Sequence, residues 1–164
     1  MLVPEDFARL MLLLLVANGA PVLLHRWLGA RGAWPLDGGR TSPVDGRRWL
    51  GPSKTWRGVA AALVATMLMA WLVSLPVMLG FWIGLAAMAG DLLSSLLKRR
   101  LGLASGAMAL GLDQIPESLL PLLLARDSLG LGVAAIAAGV LLFLVLELAL
   151  SRLLFRLRLR ERPY

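Results

Sequence analysis

The sequence predicts an all-α integral membrane protein, a bundle of about five transmembrane helices in a single membrane domain spanning residues 1–164. Three observations lead there. The first is composition: 59% of the 164 residues are hydrophobic and only 16% are charged, with a mean hydropathy of +0.77. A soluble domain has about a quarter charged residues, so this chain holds more apolar surface than one soluble core can bury. The second is a series of apolar runs near the roughly 20 residues that a helix needs to cross about 30 Å of hydrocarbon. The third is that the basic residues gather in the connections between those runs. The same composition excludes intrinsic disorder. The lack of cysteine excludes a disulfide scaffold and any Cys-based zinc or nucleophile chemistry. A net charge of +7 would point to nucleic acid in a soluble protein. Here it follows from basic loops at a membrane surface, and no nucleic-acid partner is expected.

The first helix is expected at 7–24. Leu10 to Val16, followed by Ala17, Gly19 and Ala20, has the outline of a signal peptide, but Glu5 and Asp6 stand where a basic flank belongs. It therefore reads as an uncleaved membrane helix. The second and third helices, 59–75 and 77–97, are separated by Ser74-Leu75-Pro76, room for a tight turn only, so they form an antiparallel hairpin. The fourth, 115–125, is short and contains Pro116, Glu117 and Pro121; its start is distorted and sheltered by its neighbours. The fifth, 129–150, is uniformly apolar apart from Glu147. Loops of about 26–57 and 98–114 and a basic tail, 152–164, complete the chain.

Orientation follows from the basic residues. With five crossings, Arg26, Arg31, Arg40, Arg47, Arg48, Lys54 and Arg57 of the long loop fall on the same side as Lys98, Arg99 and Arg100 and the five arginines of the tail. Only Arg9 and Arg126 remain for the other side. The positive-inside rule then puts the N-terminus outside and both loops and the C-terminus in the cytoplasm. This is the topology of a multi-pass protein of the cell (inner) membrane. The tail, alternating leucine and arginine, suits a helix end lying along an anionic bilayer surface.

Ionisable groups within membrane helices are costly unless they face a partner, a metal or water. Asp91 is the most informative, because Ser94, Ser95 and Lys98 follow at i+3, i+4 and i+7 on one helical face. A carboxylate, two hydroxyls and an ammonium descending into Lys98-Arg99-Arg100 suit a metal-bound, multiply charged phosphate. The alternative is an ion pair of Asp91 with Lys98 or Lys54 that only holds the bundle. Asp113 enters the fourth helix, where it can cap free N–H groups or, with Asp91, hold Mg2+ against a triphosphate. Gly51 to Gly58 carries Lys54, Thr55 and Arg57. It is not a Walker loop, because Ser53 and Arg48 stand where that motif has glycine. It can still present cations and N–H groups to phosphate oxygens, or anchor anionic headgroups. Asn18 also lies inside a helix. Glu147 reads as an ion pair with Arg152 near the inner leaflet, and Gly84 and Gly90 as close helix packing.

These motifs, in order, resemble the CDP-archaeol synthases, relatives of the phosphatidate cytidylyltransferases. The resemblance rests on Ala17-Asn18 with Pro21, Pro35-Leu36-Asp37, Asp45-Gly46, the Gly51 to Gly58 block ending Lys-Thr-Trp-Arg-Gly, Gly90-Asp91 with Ser95 and Lys98-Arg99, and Leu112-Asp113-Gln114. It covers residues 17 to about 125. It implies a five-helix enzyme in which CTP and a lipid phosphate, an archaeol-type phosphate or phosphatidate, react with Mg2+ to give a CDP-lipid and pyrophosphate. It implies that Asp91 and Asp113 serve the metal and triphosphate with Ser95, Lys98 and Arg99 beside them. Lys54, Thr55 and Arg57 then form the opposite wall, with Asn18, Asp37 and Asp45 as lesser members.

The chain departs from the family pattern at two places. Ser53, after Pro52, replaces a glycine, which stiffens the loop. Pro116 stands where a second aspartate is usual, with Glu117 next to it. Either Glu117 supplies the second carboxylate, making Asp91, Asp113 and Glu117 the metal ligands, or metal binding is altered. Two other functions compete with the enzyme: a non-catalytic membrane protein binding anionic lipid or a partner, and a transporter of a phosphorylated solute. Assembly into a homo-oligomer is left open by the sequence.

Overall fold

The computed structural model describes residues 4–105, 107–156 and 158. They form α1 (Pro4–Leu28), α2 (Trp56–Leu72), α3 (Val77–Arg100), α4 (Gln114–Leu124), α5 (Arg126–Leu129) and α6 (Val133–Arg156). No strand occurs among the described residues; Pro35 and Thr55, and Thr41 and Arg48, pair as isolated antiparallel bridges. Of the basic tail, Arg160 and Arg162 lie outside the described residues.

Helices α1, α3 and α6 are each long and apolar enough to cross a membrane. Helix α2 is a shorter apolar helix of 17 residues. Helix α4 has 11 residues, a rise of only about 16 Å. The expected boundaries shift for local reasons. Helix α2 stops at Leu72 rather than 75 because Ser74, at φ 59°, turns the chain ahead of Pro76. Helix α6 begins at Val133 rather than 129 because Gly130 adopts a left-handed φ of 62°. Helix α3 runs on to Arg100, where Lys98, Arg99 and Arg100 complement the negative end of its dipole.

Helix α3 is the centre of the bundle, with α2 on one side, α4 on the other and α1 against both α2 and α3. Helix α6 leans on α4 and touches α1. Lipid tails are as apolar as leucine, so helices in a membrane gain by close fit rather than by escaping water. The α2–α3 hairpin shows that fit. A Cβ at Gly80 would lie 2.6 Å from the Thr66 carbonyl oxygen, and one at Gly84 would overlap the Thr66 hydroxyl. That hydroxyl donates to Ala62 O at 2.8 Å, so no polar atom is stranded there. Leu10, Leu13, Leu14, Ile83, Leu122 and Phe143 are fully buried between the helices. Val64, Leu68, Trp71, Leu141 and Val145 are largely exposed, a surface suited to hydrocarbon and not to water.

Candidate functional site

The loop before α2 is organised around one carboxylate. Asp37 accepts from the backbone N–H groups of Gly39 (3.0 Å), Leu50 (3.2 Å) and Gly51 (2.9 Å) and from Arg48 Nη2 at 2.5 Å. Burial opposes its charge, but Arg48 and the three N–H groups outweigh it and hold the carboxyl well below the usual range. Gly51, at φ 98°, takes a conformation that a side chain would strain. A second set of contacts fastens this loop to the end of α3. Arg100 pairs with Asp45 at 2.6 Å, donates to Arg48 O at 2.9 Å and lies over the Trp49 ring. Arg47 donates to Arg100 O at 3.0 Å. Lys54 is thereby delivered to Asp91, its Nζ 2.5 and 2.6 Å from the two carboxylate oxygens. Burial disfavours the Lys54 ammonium, but Asp91, with Glu117 and Asp113 farther off, reverses that and raises its pKa above the usual 10.5.

Helices α3 and α4 meet backbone to backbone at the same depth. A Cβ at Gly90 would overlap the Pro116 carbonyl and lie 2.7 Å from Glu117 Cα. This contact sets Glu117 beside Asp91 on the same cavity wall. One turn farther along α3, Ser94 donates to Gly90 O at 2.9 Å. Lys98 Nζ lies 2.7 Å from Asp113 Oδ1 and donates to Ala107 O at 3.1 Å. Arg99 donates to Ala104 O through Nη2, while its Nε is buried without a partner among the described residues.

A cavity of about 390 Å3 lies between α1, the start of α2, α3, α4, α6 and the loops that join them. Asp91, Asp113, Lys98, Lys54, Ser95, Arg99, Thr55, Asn18 and Glu117 all contribute to its wall. Arg57 and Asp45 do not. Arg57 turns to the end of α1, where it donates to Gly29 O at 2.5 Å and to Arg31 O in the turn that follows the helix, and faces His25 Nδ1. Asp45 is taken by Arg100. The Thr55 hydroxyl caps α2 by accepting from Gly58 N at 3.2 Å, although the residue borders the cavity.

Other expectations change as well. Asp113 sits at the start of α4 but makes no cap hydrogen bond; its carboxylate is drawn to Lys98 and to Ala109 N–H at 3.1 Å. For that reason Asp91, Asp113 and Glu117 do not close on one point, and among the described residues no three His, Cys, Asp or Glu side chains form a metal-binding group. What remains is the Asp91–Glu117 pair. Glu147 does not pair with Arg152. It accepts from Gln114 Nε2 at 2.7 Å and faces the cavity. The intramembrane acid marked Glu147 in the sequence, but its partner lies 33 positions away and on another helix.

The sequence pattern of the CarS-like family of CDP-archaeol synthases matches residues 8–164. The chain belongs to this family. A CDP-archaeol synthase of Pyrobaculum calidifontis is 35% identical over 154 residues, 91% of each chain, and one of Sulfurisphaera tokodaii is 33% identical over 92% of this chain and 90% of its own. The Hyperthermus butylicus CDP-archaeol synthase is 42% identical over 107 residues, which span 62% of this chain and 60% of that relative. A solved structure described as an intramembrane enzyme for archaeal membrane lipids biosynthesis superposes with a TM-score of 0.69 at 35% identity, covering 87% of this chain and 90% of its own. Membership in the CDP-archaeol synthase family agrees with a membrane protein whose polar side chains converge within its helices.

Proposed function

We propose that the protein is a CTP-dependent cytidylyltransferase that moves CMP onto the phosphate monoester of an archaeol-type lipid, giving a CDP-lipid and pyrophosphate. The observation that carries this reading is the gathering of Lys54, Lys98 and Arg99 with Asp91 and Glu117 in one intramembrane cavity. Such a set matches a triphosphate, a cation and a second phosphate brought together.

The lipid phosphate is already a nucleophile at neutral pH, so the site has to position and neutralise rather than remove a proton. One of its oxygens bonds to the α-phosphorus of CTP as the bridging α–β P–O bond breaks, and the electron pair leaves with pyrophosphate. Lys98 and Arg99 face the leaving phosphates, and the free Nε of Arg99 offers them a donor. Ser95, Asn18 and Thr55 border the nucleotide, and Asp113 holds Lys98 in place. Arg57 and Asp45 support the loop from outside. Two adjacent carboxyls suit Mg2+, which takes one or two carboxylates and fills its remaining positions with phosphate and water oxygens. Asp91 and Glu117 would hold it, and when bound it neutralises charge on the triphosphate. Lys54 then shares Asp91 and offsets the excess of negative charge.

For the membrane arrangement, we infer five crossings in all, with α2 and the short α4–α5 segment completing the three long spans. The N-terminus is outside, and the cavity and C-terminus face the cytoplasm. The grouping of basic residues supports this, because the long loop is bonded to the Lys98–Arg100 end of α3.

The test is pyrophosphate release from CTP by purified protein in detergent with Mg2+, comparing archaeol-type ether phosphate, phosphatidate and no lipid. The expected result is release that depends on the ether phosphate and stops when EDTA removes the divalent cation. Lipid-independent or metal-independent release, or none from folded protein, would overturn the reading.

A further inference from the structure

Glu147 has no part in the chemistry above, yet it places a carboxylate inside a membrane helix, where such a group is expensive. No ion pair among the described residues includes it. Its hydrogen bond runs to Gln114, which immediately follows Asp113. Gln114 is itself buried, and its other end accepts from Gly111 N at 2.9 Å. The turn so held carries Asp113, whose own carboxylate accepts from Ala109 N and meets Lys98. A continuous series of bonds therefore leads from α6, through the Gln114 amide, to the turn that positions the Asp113–Lys98 pair.

The packing of α6 explains why such a link is needed. Its outer half is fitted against α4 by Gly139, where a Cβ would come within 3.0 Å of Leu122, and by the buried Ile136 and Phe143. Its inner half is less deeply packed: Leu153 and Phe155 are exposed, and Leu148, Leu150 and Leu154 are half-buried along the cavity. Glu147 supplies a polar contact there, to Gln114, and Ser151 is buried one turn later.

We propose that Glu147 is a positioning residue, bracing α6 against the Gln114 turn so that seating this helix and aligning Asp113 with Lys98 are one event. The catalytic consequence rests on the cytidylyltransferase reading; the brace itself does not. Loss of Glu147 leaves the buried Gln114 amide without its acceptor and frees the turn. Glutamine at 147 can still accept through its amide oxygen, so geometry and charge are separable, a distinction that matters because Glu147 and Glu117 line the same cavity.

The experiment compares wild type, Glu147→Ala, Glu147→Gln and the double variant Gln114→Ala/Glu147→Ala, each as purified full-length protein, by hydrogen exchange over residues 108–115 and by CTP turnover with ether phosphate. In Glu147→Ala, amide exchange at Ala109 and Gly111 is expected to rise about tenfold. Its kcat/KM is expected to fall about tenfold or more, with KM for CTP increased, because misplacement on the scale of 1 Å costs up to roughly 10²-fold. Glu147→Gln stays near wild type in both measurements, and the double variant is no worse than Glu147→Ala alone. Unchanged exchange in Glu147→Ala overturns the brace, and so does a Glu147→Gln variant as impaired as Glu147→Ala, which would make the charge the essential feature. Wild type that lacks turnover but shows the expected exchange pattern refutes the enzyme reading and leaves the brace standing.

Discussion

Gly90→Ala puts one methyl group at the point where the two carboxyl-bearing helices touch. The added Cβ would sit 2.7 Å from Glu117 Cα and overlap the Pro116 carbonyl. The obstructing atoms are backbone, so no rotamer change relieves the clash. Restoring ordinary van der Waals separation requires α4 to withdraw from α3 by about 1 Å, and overpacking of this kind costs about 1–3 kcal/mol. The functional cost is larger, because the same movement separates Glu117 from Asp91. A displacement of about 1 Å at the reacting groups lowers rate by up to roughly 10²-fold. The assay is CTP- and lipid-dependent pyrophosphate release across a Mg2+ titration, with thermal unfolding of the same samples. The expected variant unfolds a few degrees earlier, needs more Mg2+ and turns over about a hundredfold more slowly. A Gly90→Ala protein with wild-type turnover and Mg2+ dependence would refute the argument that this crossing sets the carboxyl pair.

Other predictions follow from single contacts. Asp91→Asn should insert and fold while losing CTP turnover by two or more orders of magnitude; loss of the folded protein would make Asp91 a bundle-holding ion pair with Lys54 instead. Arg57→Ala should reduce turnover only a few-fold and stability by about 1 kcal/mol, because the guanidinium serves carbonyls of the turn after α1. A collapse of turnover in that variant would return Arg57 to the phosphate site. Asp37→Asn should destabilise the loop by about 2–3 kcal/mol, read by tryptophan fluorescence. The acid dependence has a definite sign. The folded carboxyl is held well below its ordinary 3.8, so its contribution is complete above that value and is lost as pH falls through the lowered one. Loop stability that already declines between pH 7 and 5 in wild type, but not in Asp37→Asn, would contradict this.

Much of the site could be read from helical spacing. Asp91, Ser95 and Lys98 share one face of a single helix, and the i, i+4, i+7 pattern places them in the cavity without reference to anything distant. Lys54 was legible as a cation beside a membrane helix, but its contact with Asp91 depends on Asp37 and Arg100 folding a long loop back onto α3. Arg57 shows the limit. Three residues from Lys54 and equally basic, it points away from the cavity because the start of α2 turns it toward the carbonyl end of α1. Glu117 and Glu147 show the same limit in acids: their partners, Asp91 and Gln114, come from other helices.

The amino-acid sequence by itself determined that the chain is helical and membrane-embedded, and which helical faces carry charge, because these follow from composition and from a repeat of 3.6 residues along one axis. It also marked the acids too costly to be idle in hydrocarbon. Tertiary structure alone decided which of those charges meet. Backbone contact at Gly90 brings Glu117 to Asp91, Lys98 draws Asp113 away from both, and α6 delivers Glu147 to Gln114. Each pairing depends on the distance and rotation between two helices, and these are set by side-chain fit across the interface rather than by either helix's own sequence.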